Sequence, residues 1–138
     1  DWTLQEALHA AIAENRTHDN WQQGFLNLLE ALKAHQSLIL NAYRAIDREL
    51  VERYMRREVE ALLLPVVEEQ AAGIKISEKG KHRVAVFYAY AFMGVVMEWI
   101  QRNMAASPQE VAATTAAMIH GDFRNSLENM SRYEAKKA

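Results

Sequence analysis

Cysteine is absent from this 138-residue chain, which removes disulfides, thiolate metal ligands and thiol nucleophiles, and is compatible with a cytoplasmic protein. Proline and glycine are scarce, at two and five residues, and no stretch alternates apolar with polar residues. Hairpins and sheets need both signals, so the sequence predicts an all-α fold of about six helices. Charge of one sign is not in excess: 16 basic against 18 acidic residues give a net charge of −2. Lysine and arginine are not gathered into a stripe, and the electrostatic footprint of a nucleic-acid-binding face is missing. No signal-peptide pattern appears in these residues, and the one long charge-free run, Val84 to Met97, is shorter than the roughly 18 residues that cross a bilayer. No nucleophile elbow, phosphate-binding glycine loop or dinucleotide fingerprint occurs. Internal repeats and low-complexity segments are also lacking, and the chain reads as one domain.

What is present is hydrophobic patterning at helical spacing, in a chain that is 50% hydrophobic and 25% charged. A short amphipathic helix is expected over Thr3–Glu14, with Leu4, Leu8, Ala11 and Ile12 on one face and Glu6 completing a capping box with Thr3. A second spans about Asn20 to His35, with Trp21, Phe25, Leu28, Leu29 and Leu32 inward. A third covers Leu38 to Ala45. Asp47 is placed as the cap of a long helix to about Ala72, kinked or broken near residues 61–65 by Pro65, with Gly73 as its C′ residue. Ile74 to Gly80 reads as a linker. The charge-free run then centres a helix over Lys81–Met104 that is apolar on nearly all sides. Gly94 lies in its middle, where it costs about 1 kcal/mol relative to alanine. Ser107-Pro108-Gln109-Glu110 caps the last helix, expected to run from Pro108 to Tyr133, with a fraying tail from Glu134.

Candidate chemistry is thin. Glu6 and His9 form the one Glu-x-x-His pair, whereas a di-iron bundle needs two such pairs and further carboxylates. Glu58 and Glu98 are the carboxylates nearest apolar stripes, Glu98 with Arg102 as a possible i+4 partner. No catalytic residue, metal ligand or cofactor is assigned. Tyrosine and methionine are plentiful where the central helices meet, and such side chains line adaptable small-molecule pockets. The reading places a mostly apolar cavity among the helices of residues 20–35, 47–72 and 81–104, lined by Phe25, Tyr54, Met55, Phe87 and Tyr90. On the last helix Val111, Thr115, Met118, Ile119, Phe123 and Leu127 form an apolar stripe beside small alanines. That stripe is expected in a homodimer interface, rimmed by residues such as Arg124 and Glu128; the alternative is that it packs wholly within one chain.

The segment from Phe87 through Met104, with Gly94 and Trp99, followed by Ser107-Pro108-Gln109-Glu110-Val111, resembles the C-terminal regulatory domain of TetR-family transcriptional regulators. The closest likeness is to the Firmicutes-type branch that includes dihydroxyacetone-kinase regulator-like proteins. Asn20-Trp21 and Ala42 to Leu50 share that likeness; Met93 stands where the branch usually has a small residue. The resemblance implies a helical domain that dimerises through its last two helices, encloses a small apolar effector and has no enzymatic activity. Ligand binding there shifts the spacing of two DNA-reading heads. Asp1-Trp2 resembles the start of the helix that follows such a head, so the chain is expected to be a piece of a longer protein that meets DNA only through that head. A small helical enzyme or metal-binding bundle without a regulatory role is the rival reading.

Overall fold

The computed structural model describes residues 20–45 and 48–138. The helix expected over Thr3–Glu14, with Glu6 and His9, and the expected cap Asp47 lie outside them. The described residues are all-helical: α1 (Trp21–Ala34), α2 (Gln36–Ala45), α3 (Arg48–Gln70), α4 (Glu78–Gln101), α5 (Pro108–Ile119) and α6 (Asp122–Lys137). The most extensive packing is of α3 on α4. Helix α1 lies on α5 and touches α3, and α6 packs on α4 and α3.

The core follows the predicted apolar positions. Phe25, Leu28, Leu29 and Leu32 of α1 meet Met55, Val59, Leu62, Leu63 and Val66 of α3 and Phe92, Val96 and Ile100 of α4 in one buried cluster. Trp21, Phe25, Phe92, Phe123 and Tyr88 make a chain of edge-on ring contacts, closest at 4.8 Å for both Phe25–Phe92 and Tyr88–Phe123. Such pairs contribute about 0.5–1.5 kcal/mol each beyond the area they bury.

Several boundaries differ from expectation, each for a local reason. Helix α3 continues unbroken through Pro65. The missing N–H removes one backbone hydrogen bond, but Leu62, Leu63, Val66 and Val67 around it are buried and hold the turn in place. Gly73 takes the expected left-handed position at φ 80°. The linker lies earlier than predicted, between Gln70 and Glu78, because Ser77 caps α4: its hydroxyl accepts from the Gly80 N–H at 2.9 Å. Gly80 therefore belongs to the first turn of the helix. At its other end α4 stops at Gln101 and closes through Asn103 and Met104, both left-handed, with the Met104 N–H donating to the Trp99 carbonyl at 2.8 Å. Burial of the Met104 side chain and three contacts from α1 and α2 fix this turn. Lys33 donates to the Met104 carbonyl at 2.9 Å, Gln36 to the Asn103 carbonyl at 3.0 Å, and Arg44 to the Asn103 side chain.

The single helix expected over Pro108–Tyr133 is two. Ser107 caps α5 as predicted, accepting from the Glu110 N–H at 3.1 Å. The chain then turns at Gly121, with φ 80°, and α6 begins at Asp122. A left-handed residue cannot continue an α-helix, and glycine adopts that conformation without the Cβ penalty. The tail does not fray: α6 stays helical to Lys137. The Glu134 carboxylate accepts from the Ser77 N–H at 2.9 Å and from its hydroxyl, tying the end of α6 to the start of α4.

Candidate functional site

Helix α4 is apolar nearly all round, as predicted, but only part of it is covered. Val84, Ala85, Tyr88, Ala89, Phe92, Val96 and Ile100 face α3, α1 and α6 and are buried. The opposite face carries Arg83, Phe87, Tyr90, Ala91, Gly94 and Glu98, all exposed. Phe87 is 69% and Tyr90 57% accessible, high for aromatic side chains on a central helix. Among the described residues, a Cβ built on Gly94 has no heavy atom within 4 Å beyond its chain neighbours and the helix's own backbone. By length and composition α4 is also the one helix among the described residues able to cross a membrane, with 56% of its most apolar window buried inside the chain.

Two grooves flank this face. The first, of about 460 Å³, lies between α3 and α4; its walls are Glu49, Glu52, Arg53 and Arg56 on one side and Tyr90, Met93, Gly94 and Met97 on the other. Arg56 donates to the Tyr90 hydroxyl at 3.1 Å and pairs with Glu60 at 3.5 Å, while Arg53 pairs with Glu49 at 3.6 Å. The charges are thus balanced within the wall, over a floor of thioethers and one glycine. The second groove, of about 320 Å³, runs between α4 and α6 and is lined by Arg83, Val84, Phe87, Tyr88, Ser126, Asn129, Met130 and Tyr133. Tyr88 anchors it from below: its hydroxyl lies 2.6 Å from the Ser126 Oγ and donates to the Asp122 carbonyl at 3.2 Å. Burial pushes the Tyr88 phenol above its ordinary value, with the Ser126 bond opposing and the Asp122 charge adding to the shift.

The structure does not bring the five expected ligand residues together. Phe25 and Met55 are fully buried among core side chains, Tyr54 is half-buried on α3, and Phe87 and Tyr90 point outward from α4. Of the five, Tyr90 alone lines the α3–α4 groove and Phe87 alone the α4–α6 groove. Periodicity placed all five on apolar stripes; it did not say which stripe faces inward on a helix lacking a polar face.

The expected interface stripe divides as well. Val111, Thr115, Phe123 and Leu127 are buried within the chain, and the Thr115 hydroxyl is satisfied by the Val111 carbonyl at 2.8 Å. Ile119 is half-buried, and only Met118, 68% accessible, is open. The turn at Gly121 is the reason: α5 and α6 diverge there, so the stripe is consumed by two separate intrachain contacts, with α1 and with α4. Glu58, placed beside an apolar stripe, is buried, whereas Glu98 is exposed and, among the described residues, makes no ion pair with Arg102. Among the described residues no three histidine, aspartate or glutamate side chains converge.

Residues 19–121 match the family model of the TetR-type transcriptional regulator C-terminal region, a match that ends at the left-handed Gly121 and leaves α6 beyond it. No curated protein and no solved structure matches the chain.

Proposed function

We propose, for a chain that belongs to the TetR-type family of transcriptional-regulator C-terminal regions, that it is the effector-sensing and dimerisation domain of a cytoplasmic bacterial regulator. The observation that carries this reading is the uncovered apolar face of α4. Phe87, Tyr90, Ala91 and Gly94 lie on a helix with no charge between Arg83 and Glu98, and they are exposed, with no described element packed over them. Contiguous exposed apolar surface of this kind marks an interaction site. A homodimer built on α4 and α6, two helices from each copy around a twofold axis, covers it and buries about 1,200–2,000 Å² in total. In this reading DNA is read by a separate head of the Firmicutes-type branch, in keeping with a net charge of −2 and no basic stripe here.

The effector enters the α3–α4 groove. Its thioether floor suits a small apolar body, and the Arg53, Arg56 and Tyr90 donors orient a polar end. Because α4 forms one wall of the groove and also carries the interface, a ligand that binds one arrangement of α3 against α4 more tightly biases the spacing of the two copies. The reading is tested by sedimentation equilibrium of the chain at micromolar concentration. A dimer that dissociates on Tyr90→Glu substitution is expected. A monomer throughout the micromolar range overturns it.

A further inference from the structure

Helix α6 runs alongside the connection between α3 and α4 and bonds to it along its length. Arg124 donates to the carbonyls of Gln70 and Ala72 at 2.8 and 3.1 Å, satisfying acceptors that the end of α3 leaves open. Further on, the Ser131 hydroxyl donates to the Lys75 carbonyl at 2.6 Å, and the Glu134 carboxylate accepts from the Ser77 N–H and hydroxyl. Steps of 7 and 3 put Arg124, Ser131 and Glu134 on one face of α6. The two halves of the helix are held differently. Phe123 and Leu127 are buried, and Tyr88 bonds to Ser126 and to the Asp122 carbonyl, so the first half belongs to the core. Beyond Leu127 no residue of α6 is buried, and the polar bonds of Ser131 and Glu134, with half-buried Met130, hold the second half in place. Segments with so little buried apolar contact open at the lowest free energy. Gly80 is fitted to this junction: a Cβ there would stand 2.6 Å from the Glu134 Oε2 and 2.8 Å from the Ile76 Cγ1, so glycine lets the carboxylate reach Ser77 across the first turn of α4.

From this we infer that residues 128–137 are a latch on the α3–α4 hinge. Docked, they fix the angle between the two helices that wall the 460 Å³ groove; released, they let α3 pivot on residues 71–77. The groove residues of α3, Glu49 to Arg56, lie about 20–30 Å along the helix from its end at Gln70. A change of about 5° at the hinge therefore moves that wall by about 2 Å. The close-packed core between α3 and α4 resists larger swings. A ligand that fits one width of the groove better than the other is then linked to the docking of α6, with the same coupling in both directions. That regulatory meaning rests on the effector reading above; the latch itself does not.

The chain has no cysteine, so spin labels on Arg57→Cys and Glu98→Cys, both exposed and outside the groove lining, read the distance between α3 and α4 by pulsed electron resonance. Labelled protein is diluted into excess unlabelled chain, which keeps every measured pair within one chain. Ser131→Ala with Glu134→Ala removes the latch bonds, whereas Gly80→Ala keeps every latch residue and wedges the carboxylate away from Ser77. The parent is expected to give one narrow distance. Both variants should give a distribution broader by about 2 Å, with helix content by circular dichroism unchanged. Lys136→Ala with Lys137→Ala, at the exposed end of the same helix, should leave the parent distribution as it is. A distribution as narrow as the parent's in both latch variants overturns the latch; where the double variant does not fold, Gly80→Ala alone decides. No ligand enters the measurement. A broadened distance in a protein that binds no effector leaves the latch standing while the effector reading falls, and an unchanged distance removes the latch while leaving that reading intact.

Discussion

Replacing Gly94 with alanine separates what the chain needs from what its partner needs. Among the described residues the substitution is free of steric cost, because the added Cβ meets nothing within 4 Å, and Gly94 lies in the middle of α4 away from either end. Alanine is better than glycine in a helix interior by about 0.8–1.0 kcal/mol. For a domain of 138 residues the unfolding entropy near the midpoint is about 0.29 kcal/mol/K, so the gain corresponds to a rise of about 3 °C in Tm. That rise should appear in full at nanomolar protein, where association is negligible. At high micromolar protein the proposed dimer would change the balance: with a methyl on the face that a second copy would cover, the parent is expected to gain more stability with concentration than the variant. Differential scanning fluorimetry over a thousandfold concentration range reads both effects. A variant that is neutral or less stable at the lowest concentration shows that Gly94 is crowded within its own chain. A variant stabilised equally at every concentration shows that no second copy touches it.

Phe92→Ala removes a buried ring that contacts both Trp21 and Phe25, and should lower the unfolding free energy by about 3–5 kcal/mol in urea titrations. Gly121→Ala meets no atom but must hold φ 80°, so a loss of about 1–2 kcal/mol is expected, measured the same way, without change in oligomeric state. Glu134 has its carboxyl held below the ordinary value of 4.5 by hydrogen bonds from the Ser77 hydroxyl and N–H. A depressed folded-state value means that its contribution is present above about pH 4.5 and is lost as pH falls through the folded value. Thermal midpoints of the parent and Glu134→Gln should therefore differ at pH 6 and converge as pH falls below the carboxylate range.

The fold was legible wherever an end signal stood beside a periodic stripe. Ser107-Pro108 with Glu110 placed the start of α5 correctly, and Gly73 marked the turn that follows α3, whose last helical residue is Gln70. Gly121 was missed because the stripe keeps its phase across the break: Phe123 follows Ile119 by four residues and Leu127 follows Phe123 by four, as in one uninterrupted helix. The cue was composition alone, a glycine directly before the acidic first turn of α6. Ser77 was missed for a different reason. Its segment is dense in lysine and glutamate, and a stretch without an apolar stripe reads as a linker. What fixes it is Glu134, fifty-seven residues further on, a long-range contact that no local pattern encodes.

The site was less legible than the fold, and α4 shows why. A helix announces its inward face by the contrast between an apolar and a polar side, and between Arg83 and Glu98 that contrast is absent. Phe92 and Phe87 are equivalent in composition, yet one fills the core and the other stands in solvent. Their difference is decided by α3, which has a single apolar face and lies against only one side of α4. A helix that is apolar nearly all round is covered on one side only by the described helices. The excess is concentrated in the face that carries Gly94, the residue whose placement weakens the isolated helix. That combination, a glycine within an exposed aromatic face, is the surface on which the proposed dimer rests, and it is the tertiary packing of α3 that turns a pattern without direction into a surface with one.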